Sequence, residues 1–291
     1  MLWIPFTLMA AFMQAWRNAF QKQLSQDVAV SGVTLARFIY AGPLAALYLF
    51  VLYQWQPVAK PDFSGLFGLY ILGAALMQIL ATALMVKLFQ LRNYAIGVGL
   101  AKSEAILAAA LGVVFFAVSL DWLGWLGVLL GAVAVFLLSG IRAVHGWSWQ
   151  TLCLGLGSGL AFALTSLWVR EASLELGLPF PHGAAWVLLL VILLQSLLLV
   201  AWLIIRDMAT LKALWQRPKL TLTISFCSCV GSIGWFTAMS LESVALVKTL
   251  GQVEVLFSLL ISAWWFKEKL ARADKLGLLL IVIAAICVVW T

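Results

Sequence analysis

The chain has 291 residues, of which 65% are hydrophobic and 10% are charged, and its mean hydropathy is +1.08. Soluble domains average about 45–50% apolar and about 25% charged residues, so the composition excludes an ordinary soluble protein. The net charge of +7 comes from Lys and Arg residues scattered along the chain without a basic run. This distribution favours the positive-inside bias of membrane proteins over nucleic-acid binding.

Apolar runs long enough to cross a bilayer follow one another along the chain. A spanning helix needs roughly 20 apolar residues, and charge, Pro and Gly punctuate ten such runs. Their predicted ranges are 2–21, 32–54, 64–88, 94–118, 122–140, 149–170, 184–205, 220–241, 245–266 and 274–290. The runs lack the alternation of barrel strands, and only helices or closed barrels satisfy the backbone in lipid. The sequence therefore predicts an all-α integral membrane protein of ten transmembrane helices.

The fourth and ninth predicted spans are similar to each other. AIGVGLAKSEAILAAALGVVFF begins at Ala95, and ALVKTLGQVEVLFSLLISAWWF begins 150 positions later. This offset pairs Glu104 with Glu254 and Gly127 with Gly277. Five spans in each half would give the halves opposite orientations in the membrane. Inverted repeats of this kind are an architecture of transporters, with the substrate site near the bilayer midplane.

The domain organisation follows from this offset. We expect a first five-helix repeat at residues 1–140, a connection at 141–148 and a second five-helix repeat at 149–291, within a single membrane domain. The connections between spans are short, which leaves no room for a separate soluble domain.

Two glutamates are the strongest functional candidates. Glu104 and Glu254 each lie about ten residues into a span, close to the bilayer centre, where a charged carboxylate costs on the order of 2.5–3.5 kcal/mol. Each should therefore face protein or a water-filled cavity. They would bind a cation or carry a proton, and the structural alternative is a protonated or paired Glu that fixes helix packing.

The same two spans carry further polar residues. At about 100° per residue Lys102 points roughly 200° away from Glu104, so the two cannot pair on one helix face. Lys248 lies one turn before Gln252 and should share its face. Lys102 is a candidate for the substrate pathway, whereas for Lys248 snorkelling to the membrane edge is the alternative.

Other spans supply additional candidates. Arg17 and Arg37 lie near the facing ends of the first two spans, where they would either snorkel to headgroups or form an electropositive mouth for an anionic substrate. Interior aromatic faces can hold an organic cation, although packing is the alternative. The remaining candidates are Trp16, Gln14, Gln78, Trp168 and Trp235.

Catalytic and cofactor signals are missing from the sequence. It has no nucleophile paired with a base, no metal-ligand spacing and no phosphate-binding loop, so neither an enzyme nor a cofactor is predicted. The glycine-rich GLGSG at 155–159 lies inside a span and follows no strand, so we interpret it as a close helix approach.

Several motifs resemble the EamA-type branch of the drug/metabolite transporter superfamily over nearly the whole chain. That family has an early Trp in span one, an Arg opening span two, a proline-containing break in spans four and nine, and an acidic turn after each break. The matching positions are Trp16, Arg37 in VTLARFIYAG, SEA at 103–105, VEV at 253–255, and FKEKL at 266–270 with Glu268 as its acid. The chain departs from the pattern where Ala105 and Val255 replace the prolines, Arg17 replaces the Gly after the Trp, and SLDWL replaces the first acidic turn.

The resemblance implies two inverted five-helix repeats and a secondary transporter of the bacterial inner membrane. We expect export of a small polar organic solute by alternating access, and proton coupling through Glu104 or Glu254 is a hypothesis. Lys102 and Arg37 set against the two glutamates favour a zwitterion such as an amino acid. The alternatives are a multidrug or quaternary-ammonium exporter and a non-transporting membrane scaffold. The expected partners are a small-molecule substrate and the lipid bilayer, with no nucleic acid, and the chain would act as a monomer or homodimer.

Overall fold

A computed structural model describes residues 1–91, 100–115, 119–138, 149–265 and 272–290. Of these residues 85% are helical and none lies in a strand, so the predicted all-α fold class is confirmed for the described part of the chain. The predicted connection at 141–148 and the turn at 266–270 with Glu268 lie outside the described residues.

The described residues form a succession of helices joined by short connections. Their bounds are α1 Trp3–Leu24, α2 Val30–Ala36, α3 Ala41–Trp55, α4 Gly65–Leu91, α5 Glu104–Phe115, α6 Trp122–Leu138, α7 Trp149–Glu175, α8 His182–Arg206, α9 Met208–Trp215, α10 Pro218–Leu241, α11 Val244–Leu250, α12 Glu254–Trp265 and α13 Arg272–Val289. A 3₁₀ turn, Gly251–Val253, joins α11 to α12.

Helix is present within each of the ten ranges that the sequence marks as spans. By length and hydropathy, six segments of the described chain are suited to crossing a bilayer. They are Val30–Trp55, Gly65–Leu91, Trp149–Glu175, His182–Arg206, Pro218–Leu241 and Val244–Ile261. The chain is therefore a multi-pass membrane protein.

Within the described residues, three of the predicted spans are interrupted in their first half. Residues 37–40 form a turn between α2 and α3, Lys102 and Ser103 form a turn before α5, and the 3₁₀ turn Gly251–Val253 precedes α12. The amide of Ser103 bonds to the Leu100 carbonyl at 3.2 Å, as in a tight turn. Spans four and nine are thus interrupted even though neither contains a proline.

Helix packing brings the two halves of the sequence together. The most extensive contacts join α4 to α7, α1 to α10 and α6 to α13, followed by α5 on α7 and α1 on α12. At the centre α5 also packs against α11. Every one of these contacts joins a helix before residue 140 to a helix after residue 148, so the polar centre of the molecule lies between the halves.

The glycines of 155–159 allow one of these close approaches. A Cβ at Gly155 would lie 2.5 Å from the Leu100 Cβ, and a Cβ at Gly159 would lie 2.1 Å from the Ser103 Oγ. Helix α7 therefore passes directly over the interrupted segment that carries Lys102. The interpretation of this glycine-rich stretch as a close helix approach is confirmed.

Candidate functional site

The two mid-span glutamates both stand at the beginning of a helix. Glu104 opens α5 and Glu254 opens α12, each directly after an interruption. A carboxylate in the first helical turn interacts favourably with the helix dipole. The interruptions also free the preceding residues from the helical periodicity, so that neighbouring side chains can point in independent directions.

The glutamates form two ion pairs that cross between the halves. Lys102 of the first half pairs with Glu254 of the second, and Lys248 of the second half pairs with Glu104 of the first at 2.8 Å. The four side chains are at most 10% exposed. A buried pair of this kind is favourable only when its remaining polar atoms are also hydrogen-bonded.

Glu254 meets that condition through residues of α1. Its carboxylate accepts hydrogen bonds from the Gln14 amide and, at 2.8 Å, from the Asn18 amide, in addition to Lys102. Asn18 in turn accepts from the Arg17 guanidinium at 2.8 and 3.1 Å. Glu254 is 0% exposed, so it is held by α1 in a fully enclosed position.

Glu104 has a different environment. It accepts from the Ser166 hydroxyl at 3.0 Å and from Lys248, whose ammonium lies 4.2 Å from the centre of the Trp235 ring. The Trp235 indole N–H donates to the Gln14 side-chain oxygen at 2.9 Å. Because Gln14 also bonds to the other glutamate, the two ion pairs belong to one hydrogen-bonded network.

Arg37 lies in the turn between α2 and α3 and is 2% exposed. Its guanidinium donates to Ser228 at 3.2 Å and to Thr82 at 2.8 Å, and it lies 5.8 Å from the centre of the Phe162 ring. Among the described residues no carboxylate forms an ion pair with it. Its positive charge is therefore not neutralised by a bonded anion.

A small cavity lies among these groups. Its volume is about 30 Å³, which is room for about one water molecule and far below the roughly 300 Å³ of a ligand pocket. Its charged lining residues are Arg37, Glu104 and Lys248, and Gln14 and Gln78 add amide groups. The conformation is therefore closed around a cavity whose wall carries both signs of charge.

Comparison with known proteins identifies part of the chain. Residues 149–290 match the model of the EamA-like transporter family. This half of the chain belongs to the EamA-like transporter family. The resemblance to the EamA-type branch is thereby confirmed over residues 149–290.

The search of curated proteins found no match. One crystal structure aligns with 98% of this chain and 98% of its own length, with a TM-score of 0.72 and 14% sequence identity. At this identity the likeness concerns the fold alone.

The EamA-like half supplies only part of the polar network. It contributes Lys248, Glu254 and Trp235, whereas Lys102 and Glu104 precede the matched residues. Each ion pair therefore requires one residue from the EamA-like half and one from the half before it.

The structure brings most of the predicted site residues into this network. Gln14, Glu104, Lys102, Lys248 and Glu254 are joined by the contacts described above. Outside that network, Gln78 lines the cavity and accepts from Gln195 at 2.7 Å. The buried arginines do not snorkel, because the guanidinium of Arg17 bonds within the protein interior.

Three predicted residues lie elsewhere. Trp168 packs its ring over Gly73, in the contact between α4 and α7. Trp16 stacks on Phe20 with ring centres 5.7 Å apart. Gln252 is fully buried against Gly131, and its amide atoms have no hydrogen-bond partner among the described residues.

The predicted common face of Lys248 and Gln252 is wrong. Lys248 contacts Trp235 and Glu104, whereas Gln252 lies against Gly131 of α6. The physical reason is the 3₁₀ turn, which begins between the two residues and changes the angular spacing of the side chains.

Several polar residues that bond to the buried charges are not among the predicted site residues. Asn18 could have been noticed as an amide inside an apolar span. The hydroxyls of Thr82, Ser166 and Ser228 carry no such signal, because Ser and Thr in helices commonly bond to their own backbone four residues earlier.

Proposed function

We propose that the chain is a secondary transporter that exports a small polar organic solute, such as an amino acid, across the inner membrane by alternating access. The observation that carries the proposal is the closed cavity that both Arg37 and Glu104 line. A zwitterion would place its carboxylate at Arg37 and its ammonium group towards Glu104. The solute fits only after the halves have moved apart, because the closed cavity has room for about one water molecule.

Two inverted five-helix repeats are part of this proposal. Helices α5 and α12 begin at Glu104 and Glu254, 150 residues apart, and each follows an interruption. Helix packing supports the same division. Under the offset of about 150 residues, α4 corresponds to α10 and α1 corresponds to α7. The contact between α4 and α7 therefore has its counterpart in the contact between α10 and α1. Alternating access in repeat transporters proceeds by movement of one repeat against the other.

The crossed ion pairs couple the movement of the halves to the binding of a solute. Each pair joins one half to the other, so separating the halves exposes or breaks a buried pair. Breaking a buried pair is costly unless another group takes the place of the lost partner. A solute that carries both an ammonium and a carboxylate group can do so.

Proton coupling through Glu104 or Glu254 remains a hypothesis within this proposal. Both carboxylates are bonded to lysines in the closed conformation, so a proton reaches either of them only after its ion pair opens. Transport that ignores a pH gradient and is unchanged in Glu104→Gln and Glu254→Gln would contradict coupling.

A quaternary-ammonium exporter is the second candidate, because the Trp235 ring already lies under a cationic group. The net positive charge of the buried side chains at the centre favours a zwitterion over such a cation. The central charged side chains of the described chain comprise four cations and two carboxylates, namely Arg17, Arg37, Lys102, Lys248, Glu104 and Glu254. An organic cation without a carboxylate would increase this positive excess.

The decisive experiment uses purified protein in proteoliposomes and three matched solutes: an amino acid, its amide and its decarboxylated amine. We expect the amino acid to be transported in preference to its amide. In Arg37→Gln this preference should be smaller by a factor of about 10 to 100, which corresponds to the loss of one charged hydrogen bond.

Arg170→Gln is the matched control, since Arg170 is half-buried but does not line the cavity, and its guanidinium donates to the Glu242 backbone carbonyl. It should leave the preference unchanged. Equal transport of all three solutes by the unaltered protein would refute the zwitterion proposal, and preferred transport of the amine would favour the cation exporter.

A further inference from the structure

The Lys248 ammonium occupies a complete cation-binding arrangement in the cavity wall. It lies 2.8 Å from the Glu104 Oε1 and 4.2 Å from the centre of the Trp235 ring. A carboxylate on one side and an indole face on another are the groups by which proteins bind ammonium ions. Lys248, Glu104 and Trp235 all line the cavity.

Contacts that do not involve Lys248 hold the carboxylate and the indole ring in place. Ser166 donates to Glu104 at 3.0 Å, and the Trp235 N–H donates to Gln14 at 2.9 Å. The Trp235 ring also packs on Gly251, where an added Cβ would lie 2.2 Å from the ring. The arrangement therefore has supports that remain when the lysine leaves.

The second ion pair lacks these properties. Neither Lys102 nor Glu254 lines the cavity, and Glu254 is enclosed by the Gln14 and Asn18 amides as well as by its lysine. The two pairs are alike in residue type and in linking the halves, yet within the described part of the chain the Lys248–Glu104 pair lines this cavity and the Lys102–Glu254 pair does not.

We propose that Glu104 and Trp235 form a subsite for a primary ammonium group, which Lys248 fills until the amino group of a solute displaces it. The inference rests on the proposed function for the identity of that solute, but the subsite itself can be tested without any transport. In this arrangement Lys248 is a tethered counter-ion that neutralises Glu104 whenever no solute does.

The test uses the purified full-length Lys248→Ala variant in detergent micelles with n-propylamine as the probe. The substitution removes three methylene groups and the ammonium, which is the size of n-propylammonium. We expect propylammonium to raise the melting midpoint of this variant by about 2–4 °C at about five times its Kd. The neutral isostere 1-propanol should leave the midpoint unchanged.

Two variants make the result specific. Lys102→Ala removes the same side chain from the enclosed pair and should show no propylammonium shift. The double variant Lys248→Ala/Glu104→Gln removes the carboxylate of the subsite and should lose the shift. A shift that is equal in Lys102→Ala, or that persists in the double variant, overturns the proposal, as does the absence of any shift in Lys248→Ala.

A second variant covers the case in which Lys248→Ala does not fold. Lys248→Met keeps a side chain of nearly the same length and removes only the terminal ammonium group, so the ammonium ion should bind to it and not to the unaltered protein. Failure of the ammonium ion to bind Lys248→Met would also overturn the subsite. Because these readouts measure binding of simple amines, a failed amino-acid transport assay refutes the proposed function and leaves the subsite standing.

Discussion

At the scale of single residues, the centre of this protein is a set of buried charges whose partners come from distant parts of the sequence. Glu254 is bonded by Lys102, Gln14 and Asn18, and none of these is its neighbour in the chain. Removing one partner of a buried ion pair leaves the other as an unpaired charge, which typically costs about 3–5 kcal/mol, whereas removing both charges is often nearly neutral.

This contrast predicts the behaviour of Lys102→Met. The single variant should lower the free energy of unfolding by about 3 kcal/mol, because the Glu254 carboxylate stays buried without its cation. Adding Glu254→Gln should recover most of that loss. Denaturant unfolding in detergent measures both values, and equal stability of the single and double variants would show that the pair contributes through another interaction.

At the scale of elements, the interruptions of the helices and the glycines around them determine where the charges lie. Helix α7 approaches the segment before α5 so closely that Gly155 leaves no space for a Cβ beside Leu100. Two residues away on the same helix, the described atom nearest to a Cβ at Gly157 would be in the Leu84 side chain, at an ordinary 3.4 Å. The two glycines therefore have different roles.

We expect Gly155→Ala to destabilise the protein by about 1–3 kcal/mol, since overpacking forces α7 and the Leu100 segment apart. Gly157→Ala should be neutral or stabilising by up to about 1 kcal/mol, because alanine favours a helix over glycine. Thermal or denaturant unfolding of the two variants provides the measurement. Equal changes in the free energy of unfolding at both positions would mean that α7 and this segment can move apart without destabilising the protein.

At the scale of the whole molecule, the crossed ion pairs and the closed cavity describe a conformation in which both halves are joined. If Lys248 acts as a tethered counter-ion, it neutralises Glu104 while the protein changes conformation without solute. Without the lysine, the Glu104 carboxylate would be buried without a cation whenever the protein passes through the closed conformation without solute. This burial costs on the order of 2.5–3.5 kcal/mol.

The Lys248→Ala variant should therefore separate two kinds of transport. Exchange of internal for external solute should persist, because a solute is bound during both conformational changes. The rate of net transport should fall by about 100-fold, which corresponds to the free energy of burying the Glu104 carboxylate without a cation. Lys248→Arg keeps the charge and should retain net transport. Parallel loss of exchange and net transport in Lys248→Ala would contradict the counter-ion role.

The sequence by itself determined the all-helical membrane class, helix within each predicted range, and the EamA-like family that residues 149–290 match. These follow from composition, from apolar runs of bilayer length and from motifs, all of which are local in the chain. It also singled out Glu104 and Glu254, because a carboxylate inside an apolar run is visible without coordinates.

The tertiary structure alone decided which lysine pairs with which glutamate. Helical periodicity correctly separated Lys102 from Glu104, yet it could not indicate that each glutamate takes its lysine from the other half. Periodicity also failed at Lys248 and Gln252, where the turn Gly251–Val253 replaces the regular helix. The physical reason is that partners more than 140 residues apart meet through helix packing, and their directions depend on interruptions that no proline marks.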